Sequence, residues 1–141
     1  GWQGKFRRGH PDAVLLRYAR EATGPLDGLL VSHLDALGRG PGLRWCEAYE
    51  IAVPGDERTD PIWPTPAGRV THLPCSATAD LAHQTALTRL LFRVRPVYDA
   101  HTLTSPESLL ERLEEATGCP IWMTACGPSH EAVKFRSQAR R

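Results

Sequence analysis

The stretch of sequence that decides the fold is Leu26-Asp27-Gly28-Leu29-Leu30-Val31-Ser32-His33-Leu34-Asp35. Its apolar residues form a short run between turn signals, which is a pattern typical of a buried β-strand. The run leads into a polar tip that ends in one carboxylate. Ligands of open α/β sheets bind at the carboxyl ends of the strands. We therefore expect Asp35 to lie where a ligand can reach it.

Asp35 has two interpretations. A carboxylate has two acceptor oxygens, so it can accept parallel hydrogen bonds from the ring N–H and the exocyclic amine of guanine. In the alternative interpretation Asp35 only begins a turn, because the glycine-rich segment 38–42 follows it. The stretch alone favours the turn, since short motifs often match by chance.

Length and composition indicate an ordinary globular protein. The 141 residues correspond to about one domain, with 41% hydrophobic and 23% charged residues. A net charge of +1 argues against a nucleic-acid partner, and no apolar run is long enough to cross a membrane. The four cysteines are scattered without a C-x-x-C spacing, which predicts a reducing, cytoplasmic location.

The chain begins with Gly1, and its only methionine is Met123. We therefore expect an excised piece of a longer protein, either a cloned domain, a proteolytic product or one part of a longer chain. Within it we predict a loop at 1–10, and a helix and two strands at 11–53. A loop excursion at 54–77, two helices and a strand at 78–136, and a tail at 137–141 would follow.

Helical and strand patterns alternate along the chain, which predicts a mixed α/β fold with a mainly parallel sheet flanked by helices. Pro11 and Asp12 open the first helix, and Ser105 and Pro106 open the last. Strands are predicted at 28–34, 43–53, 70–73, 121–126 and 133–136, and the remaining helix is predicted at 78–94. If the strands at 28–34 and 121–126 are parallel neighbours, Asp35 and the turn at Gly127 face one crevice.

Several segments, taken in order, resemble the C-terminal part of adenylosuccinate synthetase. The resemblance covers most of the chain except residues 55–95. The matching segments are Gly4-Lys5-Phe6-Arg7-Arg8-Gly9-His10-Pro11-Asp12, Leu26-Asp27-Gly28-Leu29, Ser32-His33-Leu34-Asp35, Cys46-Glu47-Ala48-Tyr49, Pro96-Val97-Tyr98, Leu113-Glu114-Glu115-Ala116-Thr117-Gly118-Cys119-Pro120-Ile121 and Gly127-Pro128.

The resemblance implies a ligase that joins L-aspartate to inosine monophosphate. GTP phosphorylates the base oxygen, and the amine of aspartate then displaces the phosphate. The resemblance also implies Mg²⁺, whose ligands are not expected in this chain, and it leaves a homodimer open. The family's phosphate loop and catalytic aspartate and histidine belong to its N-terminal part, which this sequence lacks. We therefore expect the 141 residues alone to be inactive.

The resemblance assigns the strand tips to nucleotide binding. Asp35 matches the acidic residue that binds the guanine edge, and Gly127 matches a glycine whose backbone approaches the same base. His33 stands where the family usually has lysine, and Ala125 where a serine often holds the base. Substrate carboxylates and nucleotide phosphates would be bound by the basic loop that contains Lys5, Arg7 and Arg8.

Two alternatives stay open. The chain can be a fragment that binds a nucleotide or a protein without catalysis, or a relative with a different purine preference. A metal site is not expected, because the histidines lack the spacing of zinc enzymes. The tryptophans are expected in the core or in loops.

Overall fold

The computed structural model describes residues 9–52, 69–76 and 80–136. The predictions for the basic loop with Lys5, Arg7 and Arg8, for residues 54–68 and 77 of the excursion at 54–77 and for the tail at 137–141 lie outside the described residues. The bounds of the helices and strands are α1 Ala13–Thr23, β1 Leu29–Val31, β2 Leu43–Ile51, α2 Leu81–Leu91, β3 Val94–Leu103, α3 Pro106–Thr117, β4 Ile121–Ala125 and β5 Val133–Phe135.

The three helices begin at residues whose side chains cap the first turn. The carboxylates of Asp12 and Asp80 accept backbone N–H bonds at the starts of α1 and α2. The hydroxyl of Ser105 does the same for α3, where Pro106 occupies the first turn and Gly118 ends the helix in the left-handed conformation. Such caps satisfy backbone groups that have no partner inside a helix. The predicted starts of α1 and α3 are confirmed.

Two sheets form among the described residues. One has the strand order β1-β4-β5, in which β1 pairs with β4 in parallel and β4 with β5 in antiparallel orientation. The other is the antiparallel pair β2-β3. The mixed α/β class is confirmed, but the parallel share is smaller than expected, since β2 and β3 follow each other across α2 and form an antiparallel pair.

The helices cover two apolar clusters, and α1 contributes to both. Ala13 packs in a cluster with Trp45 and Ile121, whereas its neighbour Val14 packs in a cluster with Tyr49 and other residues of β2, α2 and the segment 69–76. Trp45 is a core residue as expected. Consecutive residues of α1 therefore point into different clusters, as Trp45 and Cys46 of β2 also do.

Strand β2 does not alternate as its sequence predicts. We expected Leu43, Trp45, Glu47, Tyr49, Ile51 and Val53 on one side, but adjacent residues Trp45 and Cys46 are both buried, and Ala48 and Tyr49 are both buried as well. The register with β3 shifts on either side of Cys46. Such bulges reorient successive side chains and bend the strand. Val53 lies outside the described residues.

The middle helix is shorter and less buried than its pattern predicts. We expected a helix at 78–94 with Leu81 and Leu91 near its apolar side, but α2 spans Leu81–Leu91 and the exposed fraction of Leu81 is 81%. Its buried residues are Leu87 and Leu90. No helix in the part of the chain that the structure describes has the length and apolar character of a membrane span.

Candidate nucleotide-base site

The carboxyl ends of β1 and β4 lie side by side. Val31, the last residue of β1, pairs with Thr124, and β4 ends one residue later at Ala125. Because the two strands run in parallel, the segments that follow them leave the sheet at the same edge. These segments carry Asp35 and Gly127. The expected parallel pairing of the two strands is confirmed, and the crevice between their tips stays a prediction.

A short 3-10 helix, Leu34–Arg39, follows the tip of β1. Its apolar residues Leu34 and Leu37 are buried in the cluster that also contains Ile121 of β4. Their burial holds the 3-10 helix against the sheet. The side chain of Asp35, between these two anchors, keeps 23% of its surface exposed.

Asp35 forms an ion pair with Arg39. Arg39 Nη2 lies 2.7 Å from Asp35 Oδ2, and the guanidinium side chain is 74% exposed. The two residues lie four apart in the sequence, and Arg39 is the last residue of the 3-10 helix. The sequence interpretation missed this pair, because the segment 38–42 was expected to be only a glycine-rich turn. The i, i+4 spacing of opposite charges was the available signal.

His33 links β1 to the 3-10 helix in a left-handed conformation, with φ of 62°. It is the one non-glycine residue with positive φ among those that the structure describes. Such a conformation is uncommon for residues other than glycine, although asparagine, aspartate and histidine adopt it more often than the others. The exposed ring has Nδ1 at 3.0 Å from Ser32 Oγ. The imidazole therefore stands at the strand tip, beside the segment that carries Asp35.

The second strand tip is a tight turn. Cys126 N donates to the carbonyl of Ala132, and Ala132 N donates to Ser129, each at 3.1 Å. A Cβ atom added to Gly127 would lie 3.3 Å from Ala132 Cβ, so the glycine fits closely against that residue. Ala125 is half-buried at the end of β4 and offers no polar side-chain atom.

Residues 10–12 are attached to β2 at three points. Cys46 N donates to Pro11 O at 3.0 Å, Arg44 N donates to His10 Nδ1 at 3.1 Å, and the Tyr49 hydroxyl donates to Asp12 Oδ2 at 2.6 Å. These bonds position the chain immediately after the predicted basic loop.

The attached segment is also bordered by an aromatic contact. The ring of His10 meets the ring of Tyr98 edge to face with centroids 5.4 Å apart, and the Arg44 guanidinium lies 3.9 Å above the Tyr98 ring. A cation over an aromatic face is attracted by the ring quadrupole. This stack links β3 to the segment that follows the basic loop.

A separate cavity of about 460 Å³ lies between the end of β3 and the start of α3. Its lining includes Asp99 and Arg112, which form an ion pair, and Arg112 also contacts Glu47 and Glu115. The backbone N–H of His101 is the main cause that lowers the pKa of Asp99, and the His101 side chain and Arg112 act in the same direction. Asp99 and Glu115 of the cavity wall therefore both pair with Arg112.

The described residues do not assemble a metal site. No group of three or more histidine, cysteine or carboxylate side chains in residues 9–52, 69–76 and 80–136 could hold an ion together. These residues therefore offer no set of three protein ligands, and no step is assigned to a metal in this part of the chain.

No protein-family model matches the sequence. Over 137 residues, the chain is 28% identical to the adenylosuccinate synthetase of Sorangium cellulosum (strain So ce56). The match covers 94% of this chain and 28% of the relative, so the chain spans little more than a quarter of that relative's length. The chain resembles an adenylosuccinate synthetase. This similarity suggests the ligase family and purine biosynthesis.

Proposed function

We propose that this chain is the nucleotide-base-binding portion of an adenylosuccinate synthetase-like ligase. Asp35 accepts hydrogen bonds from the base edge, His33 lies against the base, and Gly127 contributes backbone contact. Ala125, at the end of β4, lies beside the base. Lys5, Arg7 and Arg8 bind the carboxylates of L-aspartate and the phosphates of the nucleotide.

The observation that carries the proposal is the parallel pairing of β1 with β4, which puts the two strand tips at one edge of the sheet. Similarity over 94% of the chain to an adenylosuccinate synthetase supports the choice of ligand class. A partly exposed carboxylate on an anchored turn suits a base edge, because it accepts two hydrogen bonds and donates none.

Calorimetry of the 141-residue chain with GTP tests the proposal, and ATP serves as the comparison nucleotide. Asp35→Asn keeps the shape of the side chain but removes its charge and one acceptor. Because hydrogen bonds to charged groups contribute more than neutral ones, we expect the dissociation constant for GTP to rise about tenfold or more.

Asp27→Asn is the matched control, since Asp27 is an exposed carboxylate at the amino side of β1. It should leave GTP binding unchanged. Equal binding by the wild-type chain and by Asp35→Asn contradicts the base-binding role. Absence of GTP and ATP binding contradicts nucleotide binding and favours a protein-binding role.

We also expect no turnover by the 141 residues alone. The residues that the resemblance assigns to catalysis belong to a part of the family that this sequence does not contain. The chain spans 28% of the relative that it matches. Formation of adenylosuccinate from inosine monophosphate, aspartate and GTP by this chain alone would contradict that expectation.

A further inference from the structure

We propose that Arg39 lowers the preference of this site for guanine over hypoxanthine by competing with the exocyclic amine of guanine for the carboxylate of Asp35. This inference rests on the base-binding role proposed above for Asp35. It adds a residue that lies outside the strand tips and that approaches Asp35 from the end of the 3-10 helix.

The geometry brings the two charged groups together before any ligand binds. Leu34 and Leu37 are 4% and 5% exposed, so both are anchored in the core. The backbone N–H of Ala36 donates to His33 O at 3.0 Å and closes the first turn. With the backbone held in this way, Asp35 and Arg39 face each other at a separation of four residues, with 2.7 Å between Nη2 and Oδ2.

The ion pair between Asp35 and Arg39 affects binding because purine bases differ at the edge that the carboxylate would contact. Guanine presents a ring N–H and an exocyclic amine, which together require both carboxylate oxygens. Hypoxanthine presents the same ring N–H without the amine. Oδ2 keeps a lone pair beside Arg39, but the guanidinium neutralises part of the charge that this oxygen offers to an amine. In the proposed orientation the amine meets Oδ2 and the ring N–H meets Oδ1, so the amine gains less from Asp35 than the ring N–H does.

Because Arg39 is exposed, it competes with the base for Asp35 but does not exclude the base from the site. Its side chain is 74% exposed, so it can turn into solvent when a base enters. Exposed ion pairs contribute little, and the cost of displacing Arg39 is correspondingly small. Arg39 should therefore lower the preference for GTP over ITP by a small factor, and removal of the guanidinium should increase that preference.

The test compares GTP with ITP by calorimetry on the 141-residue chain and its Arg39→Ala variant. The two nucleotides carry the same triphosphate, so changes in phosphate binding cancel in the ratio of their dissociation constants. We expect Arg39→Ala to raise the ratio of ITP to GTP dissociation constants by about two- to fivefold, as expected from the loss of an exposed ion pair. Arg39→Lys, which keeps the charge but not the planar fork, should give a ratio between the two.

Arg69→Ala is the matched control. Arg69 is an exposed arginine whose Nε lies 3.5 Å from Oε1 of Glu50, a residue of β2. It removes the same charge and should leave the ratio unchanged. An unchanged ratio in Arg39→Ala, with GTP binding still weakened by Asp35→Asn, overturns the role of Arg39 and leaves the proposed function standing. Absence of nucleotide binding overturns both proposals.

Discussion

The hydroxyl of Tyr49 donates a 2.6 Å hydrogen bond to Asp12 Oδ2, while Asp12 Oδ1 accepts the backbone N–H groups of Val14 and Leu15 at 3.0 Å. One carboxylate therefore caps α1 and joins that helix to the middle of β2. This contact positions the segment that follows the proposed substrate-binding loop. Its stability therefore affects the geometry of the proposed site.

Tyr49→Phe should lower the free energy of unfolding by about 1–2 kcal/mol, because it leaves a partly buried carboxylate oxygen without its donor. Urea unfolding measures the change. Tyr98→Phe is the control, since the ring of Tyr98 contacts His10 and Arg44 and phenylalanine keeps that ring. An equal loss in both variants would contradict a specific role for the Tyr49 hydroxyl.

Asp12→Ala should destabilise the protein more than Asp80→Ala. Both aspartates cap a helix by accepting two backbone N–H bonds. Loss of such a cap costs about 1 kcal/mol. Asp12 also accepts from Tyr49, so we expect its removal to cost about 2–3 kcal/mol in urea unfolding. Similar losses of stability in the two variants would show that the hydrogen bond from the Tyr49 hydroxyl contributes nothing.

Gly28→Ala should destabilise the protein by about 1–3 kcal/mol, because an added Cβ would lie 2.5 Å from the indole ring of Trp122. The indole must move to accommodate it, and this disturbs the start of β1 against β4. Gly40→Ala is the matched control, since a Cβ there meets nothing within 4 Å. Denaturant unfolding of both variants gives the comparison, and an unaffected Gly28→Ala would contradict the close packing.

Stability should fall in alkaline solution. Burial, followed by the nearby charge of Asp12, raises the pKa of Cys46 from 9.0 to about 11, and burial also raises the pKa of Tyr49. The folded state holds these protons more tightly than the unfolded state. The contribution from Cys46 is therefore complete below its ordinary pKa and is lost as pH rises from 9.0 to about 11.

Urea unfolding across this pH range checks that expectation. Cys46→Ala should make the decline in stability shallower, because it removes one group whose folded pKa is raised. Cys126→Ala is the control, since Cys126 is exposed. The same pH dependence in wild type and Cys46→Ala would contradict the assignment.

Local features of the fold were predictable from the sequence. The starts of α1 and α3 depend on capping residues within one turn of each helix, Asp12 and Ser105. The apolar runs around Leu29 and Ile121 indicated two strands, and the structure pairs them in parallel. These features follow from the conformational preferences of a few adjacent residues, which the sequence displays directly.

Other features depend on contacts between distant segments. The bulges of β2 place Trp45 and Cys46 in different apolar clusters, which strict alternation does not anticipate. Leu81 has an apolar side chain, but it is exposed among the residues that the structure describes. The binding roles of Asp35, His33, Ala125 and Gly127 stay predictions, as do those of Lys5, Arg7 and Arg8.

The sequence by itself determined the capped helix starts, the apolar strands and the polar tip that ends at Asp35. Tertiary structure alone decided that the tips of β1 and β4 share an edge and that Tyr49 meets Asp12. Burial of Leu34 and Leu37 also holds the turn in which Arg39 reaches Asp35. Capping and hydrophobic runs act over a few residues, whereas register, bulges and turn conformation depend on which surfaces pack together.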